Sequence, residues 1–179
     1  MSINLIECLN KAWKYRKNTD EVYIDQFNNL MESAYYAVDQ KLRMISEKNH
    51  EEYHDECFYF FQKIIAKIIF ADDEFLIEEH ESYTQFCNHV GIKALSTKEI
   101  KELNDSISLE KTKENIKMFS KVRDKIDEKD YETLITGLCS LSLMGDKELD
   151  EKEYEIIIEF LNEKDIYPKT WEGLKKEWN

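Results

Sequence analysis

Glycine and proline are nearly missing from this chain, at four and one in 179 residues. A multi-stranded sheet needs turn residues every several positions, so this scarcity excludes a sandwich or barrel and favours helices joined by short links. Cys-x-x-Cys pairs are missing too. Cys8, Cys57, Cys87 and Cys139 stand singly beside apolar neighbours, the pattern of buried free thiols in a reducing compartment. The longest uncharged run, Thr133 to Gly145, falls well short of the ~20 residues that span a bilayer. Glu7 interrupts any apolar region a signal peptide would need, and no small-residue cleavage site follows. A cytoplasmic location is the expectation. Nothing has the form of a P-loop, a Gly-rich dinucleotide turn or a nucleophilic triad.

Charge and apolar residues are plentiful. Charged residues reach 35%, hydrophobic ones 42% and aromatics 12%. That is the composition of a folded chain with a sizeable core, and the length suits one domain. The formal charge of −13 disfavours non-specific binding to nucleic acid or an anionic membrane, which carry the same sign. It suits cations or a basic partner protein. The one basic cluster, Lys11, Lys14, Arg16 and Lys17, falls where helix 1 should end and reads as cations complementing that helix's dipole.

Apolar spacing divides the chain into helices. Ile3, Ile6, Leu9 and Trp13 place helix 1 at about 2 to 16. Asn18-Thr19-Asp20 offers a cap for a second helix. Its apolar face runs from Tyr23 and Phe27 through Met31, Ala34, Tyr35, Val38 and Leu42 to Ile45. After a polar patch from Ser46 to Glu56, the run Cys57 to Ala71 is apolar on most sides, which predicts a buried helix. An amphipathic helix from about Ile77 to Val90 follows, stopped by Gly91. Ser96 and Glu99 frame a capping box for a short helix carrying Ile100 and Leu103. Ser108 starts another, with Ile116, Phe119, Val122 and Ile126 at core spacing. Tyr131 to Met144 is a second buried helix, with Thr133, Gly137 and Ser140 forming a small-residue edge for close approach of a neighbour. Asp150-x-x-Glu153 is a second capping box, which favours helix over strand for the Ile156–Ile158 triplet. Trp171, Leu174 and Trp178 share one face of a final helix that should dock on the body.

Two acidic stretches are copies of each other. Ala71-Asp72-Asp73-Glu74-Phe75-Leu76-Ile77-Glu78-Glu79 matches Gly145-Asp146-Lys147-Glu148-Leu149-Asp150-Glu151-Lys152-Glu153 at a constant spacing of 74 residues (146 − 72), and the match extends to Phe86/Phe160 and Ile92/Ile166. Each stretch follows a buried helix and opens an amphipathic one. Two readings of the carboxylates stand side by side. Asp72, Asp146, Glu79 and Glu153 serve as caps and first-turn acids, with Glu74 and Glu148 solvated. Alternatively the turns meet across a local two-fold, and Asp72, Glu74, Glu79, Asp146, Glu148 and Glu153 crowd one region. Such crowding raises carboxyl pKa values unless a cation relieves it, and all-oxygen ligands suit Ca²⁺ or Mg²⁺. An EF-hand is excluded. Its first and third loop positions would be Ser142 and Met144, or Ile68 and Phe70, all inside the buried helices.

This pattern is a small residue, Asp, a short turn, Glu, an apolar residue and a final Glu, set between an apolar and an amphipathic helix. It resembles the TerB-like family, named for tellurite resistance. The resemblance covers about residues 55 to 166, with residues 1–50 as an N-terminal helical extension and 167–179 as a C-terminal helix. It departs from the family where Asp73 and Lys147 replace the usual Gly, and where Leu76 replaces the usual Ser or Thr cap. The resemblance implies an all-α, single-domain bundle, here of about eight or nine helices with an internal pseudo-repeat. It also implies divalent-cation binding at Asp72, Glu79, Asp146 and Glu153, and a place in bacterial stress response or phage defence.

His50-Glu51-Glu52-Tyr53-His54 matches His-Glu-x-x-His, in which two His one turn apart hold Zn²⁺ and Glu activates water. It lies in the chain's most polar segment, with no strand to hold a substrate beside it. Solvated residues at a helix junction are the competing account. The expected function is therefore a non-catalytic helical module working by protein–protein contact, with Ca²⁺ or Mg²⁺ at the acidic turns. The alternative is a zinc hydrolase using His50, Glu51 and His54.

Overall fold

The first helix is set by Asn4, whose side-chain oxygen accepts from the Ile6 amide at 3.0 Å and so supplies an N-cap. The computed structural model describes residues 2–45, 50–71, 76–107, 117, 119–144, 148–161 and 166–178. The cap confines α1 to Leu5–Arg16. Residues Ile3–Asn4, expected inside that helix, instead form β1. It pairs in parallel with β2 (Ile166–Tyr167), Ile3 opposite Ile166. Two-residue strands are too short to leave a periodic signal, and the Asn4 cap was the clue to the true helix start.

Thr19 next receives the Val22 amide at 3.4 Å and opens α2 (Asp20–Ile45), the chain's longest helix. Then come α3 (His50–Ile69), α4 (Ile77–His89), α5 (Thr97–Ser106), α6 (helical residues 119–123), α7 (Glu128–Ser142), α8 (Glu151–Leu161) and α9 (Trp171–Trp178). Nine helices among the described residues and one two-stranded ladder make this an all-α, single-domain bundle. Gly91 ends α4 with φ of +75°, a conformation that favours glycine. Ser96 and Glu99 close a reciprocal capping box on α5. Among the described residues no helix is long and apolar enough to cross a membrane. Ser108 and Ile116 lie outside the described residues, while Phe119, Val122 and Ile126 are buried as their spacing predicted.

The centre of the bundle is α7. From Leu134 to Ser142 every residue is buried, with α1, α2, α3 and α8 packed around it. Its polar side chains are satisfied within the helix. Thr136 donates to Glu132 O at 2.8 Å, Ser140 to Thr136 O at 2.8 Å and Ser142 to Leu138 O at 3.3 Å. The small-residue edge works as anticipated, because a Cβ on Gly137 would stand 2.6 Å from Met31 Sδ. That clearance lets α2 run along α7, their contact being the most extensive between any two helices. The two N-terminal helices thus share the core, α1 and α2 both lying on α7. Elsewhere Tyr35, Phe61 and Phe86 join α2, α3 and α4, with ring centroids 5.4 to 6.1 Å apart, and Phe60 stacks on Phe119 at 5.1 Å.

The 74-residue spacing is repeated in the helices themselves. Ile77 and Glu151, the first residues of α4 and α8, are 74 apart (151 − 77). Cys57/Tyr131, Phe60/Leu134, Phe61/Ile135, Ile64/Leu138, Ile65/Cys139 and Ile69/Leu143 are buried pair by pair at the same spacing.

All four cysteines are free and buried. Desolvation pushes the Cys8 and Cys87 thiols from 9.0 to about 11 and holds Cys57 and Cys139 well above 9.0. Unfolded thiols ionise first as pH rises, so the stability these groups provide is complete below pH 9.0 and lost on the way to about 11. Under reducing conditions, unfolding free energies from urea titrations should fall across that window by up to roughly 1.4 kcal/mol per pH unit per thiol. Gly137→Val should cost about 2–3 kcal/mol by overpacking against Met31. Adding Met31→Ala should cost less in that background than in the native chain, read as a non-additive double-variant cycle.

Candidate functional site

Four helix ends meet at one end of the bundle: the last turn of α1, the first of α2, the first of α4 and the last of α7. Arg16 ties them together. Its Nε donates to Leu143 O and its Nη2 to Met144 O, both at 3.3 Å, while Nη1 pairs with Asp20 at 2.8 Å. The guanidinium also lies 5.1 Å from the Tyr23 ring centroid, and only 11% of the side chain is exposed. The last turn of α7 contains no basic residue of its own. Arg16 supplies from α1 the donors and the positive charge that this carboxyl end needs. The basic cluster thus divides: Arg16 serves α7, not its own helix, and Lys11 reaches across to Glu132 on α7.

Beside Arg16 is a cavity of about 180 Å³, lined by Arg16, Asp20, Tyr23, Ile24, Leu76, Glu78 and Met144. Leu76 and Glu78 follow the first acidic turn, and Met144 precedes the second. Ser82 of α4 strengthens the junction, its hydroxyl 2.8 Å from Met144 Sδ and 2.8 Å from Glu78 O. The flanks of the two turns therefore share one wall. Asp72, Glu74 and Asp146 lie outside the described residues.

Glu79 and Glu153 occupy matching places, the third residue of α4 and of α8, and are 5% and 7% exposed. Glu153 accepts from the Asp150 amide at 3.0 Å, and Asp150 accepts from the Glu153 amide at 2.8 Å, completing the capping box foreseen for α8. In the first copy the cap position is Leu76, which offers no side-chain hydrogen bond. Glu148 is exposed. Among the described residues no group of three or more His, Cys, Asp or Glu is arranged to hold a metal.

The backbone is helical through His50, Glu51 and His54, the start of α3, while their side chains lie outside the described residues. Phe160 is in the same position. His89, in the last turn of α4, stands 3.1 Å from Glu32. His80 is half-buried, 3.1 Å from Leu95 O, and its ring lies 5.9 Å from that of Tyr83. The buried Tyr83 hydroxyl in turn accepts from Gln62 at 2.9 Å and from the Leu95 amide at 3.0 Å, fixing the loop before α5.

Two features were out of reach of periodicity. One is the reach of Arg16 to α7, for which the missing base in the last turn of α7 was the available signal. The other is the meeting of Trp13, Trp171 and Trp178 around one cavity, since their chain separation hides it. The final helix docks as expected, with Leu174 buried and both of its tryptophans against the core. Arg16→Ala should lower stability by about 1.5–3 kcal/mol in urea unfolding, the range for hydrogen bonds made by a charged group. Arg16→Lys should recover only part, since an ammonium cannot span both carbonyls as the fork does. Compared with protein-family models, curated proteins and solved structures, the chain matches none.

Proposed function

We propose that this chain is a non-catalytic, cytoplasmic helical module that works by protein–protein contact, with its two acidic turns taking a divalent cation. The setting implied by the TerB resemblance is bacterial stress response or defence. The observation that carries the reading is the shared wall at Met144, where Leu76 and Glu78 from one turn's flank meet the other's. Acidic turns whose flanks meet at one wall offer oxygen ligands a common place to converge, and hard cations such as Ca²⁺ or Mg²⁺ select oxygen. The buried thiols, held protonated, are poor nucleophiles, which favours a binding role over covalent catalysis.

Contact with a partner is supported at the same end. Val22 and Ile77 are each next in the chain to residues of the cavity wall, and they are 47% and 66% exposed. Apolar side chains set among acidic ones suit a partner that brings apolar anchors within a basic rim. The charge of −13 would speed its approach.

Millimolar Ca²⁺ or Mg²⁺ should raise the melting temperature, by an amount equivalent to about 2.7 kcal/mol at one hundred times Kd. Asp146→Asn combined with Glu153→Gln should abolish the gain. Gln preserves the capping box, so the double variant should still fold. A melting temperature indifferent to both cations would remove the cation from the proposal.

A further inference from the structure

The three tryptophans of the chain all stand around one cavity of about 520 Å³, Trp13 more than 150 positions before Trp171 and Trp178, and none of them is fully buried. Trp13 comes from α1, Trp171 and Trp178 from α9, and Glu148 and Lys175 complete the rim. The volume is that of a small-molecule site. Each tryptophan packs in part against the core and keeps the rest of its ring for the cavity.

The walls are fixed. Trp178 Nε1 donates to Asn10 Oδ1 at 3.2 Å, which sets one indole and satisfies its N–H. Trp171 rests against Tyr154, centroids 5.7 Å apart, and the Tyr154 hydroxyl donates to Pro168 O at 2.9 Å. An ammonium is already recruited to this wall: Lys175 Nζ lies 5.8 Å from the Trp171 centroid while pairing with Glu172 at 3.0 Å. Indole faces attract cations through their quadrupole, and aromatic enclosures with a carboxylate at the rim select organic ammonium groups.

We infer that this cavity binds an organic cation, an ammonium head on an alkyl stem. The indoles of Trp13, Trp171 and Trp178 take the stem and face the charge, and Glu148 lies at the entrance. Lys175 is an internal surrogate, which an incoming cation displaces from Trp171. The head can belong to a free amine or to a lysine side chain of a partner. It shares Glu148 with the acidic-turn reading and is told apart from it by its dependence on tryptophan.

The test is titration calorimetry of the full chain with n-butylammonium chloride, an acetylated and amidated Gly-Lys-Gly peptide, and n-butanol. All titrations are run both without divalent cation and in saturating MgCl₂, so that failure of the acidic-turn reading leaves this result readable. Saturable binding of butylammonium or the peptide, without binding of butanol, is expected. Tighter binding of the peptide assigns the head to a protein partner, and tighter binding of the amine to a small molecule. Trp171→Leu keeps an apolar wall and should weaken binding roughly tenfold. Lys175→Ala, at an exposed position and so compatible with folding, should tighten it several-fold by removing the surrogate. Equal binding of butanol, no saturable binding of either ammonium probe, or weaker binding by Lys175→Ala would overturn the inference.

Discussion

Everything in this fold depends on giving α7 a complete sheath. A helix buried from Leu134 to Ser142 without a polar face has no stable place outside a protein core. Four helices supply the cover, and each contributes something specific. Along α2, Met31 approaches Gly137 so closely that a larger residue would collide. From α1 come Lys11 to Glu132 and Arg16 to the helix's carboxyl end. From α2, Tyr23 also donates to Ser140 O. The apolar stripes of α3 and α8 close the remaining sides. Burial provides the driving force, and the small-residue edge with its back-bonded hydroxyls makes such close approach feasible.

The doubled hairpin explains how one chain supplies both the sheathed helix and part of its sheath. At a spacing of 74 residues, α3 and α7 bury the same positions, and α4 and α8 begin in register. The copies have diverged where their surroundings differ. The second keeps a full Asp150–Glu153 capping box, while the first begins α4 at Leu76 without a side-chain cap and still buries Glu79. A carboxylate held at the third helical position in both copies is the element most faithfully repeated in the acidic stretches.

Local rules made most of the architecture legible. Helix existence, the burial of most of Cys57 to Ile69 and of Leu134 to Ser142, the Gly91 stop and both capping boxes all follow from spacing and cap chemistry within a few residues. What escaped depended on chain closure. Ile3 leaves helix 1 because its backbone finds Ile166, more than 160 positions on. Arg16 looked like a cation at its own helix end, yet its hydrogen bonds go to Leu143 and Met144. Trp171 and Trp178 were expected on one face of the last helix, and only the docking of α9 onto α1 and α8 brings Trp13 beside them in a cavity wall. Periodicity reports which face is apolar; it carries no information on which distant face will meet it.

Both candidate sites occur where helix ends gather around this sheathed core, and both rest on α7 remaining a single, closed element. Native-state hydrogen exchange tests that directly. The account predicts that the amides of Leu134 to Ser142 exchange only through global unfolding, with protection rising and falling with total stability as urea is added. Exchange of those amides through local opening, independent of denaturant, would contradict it.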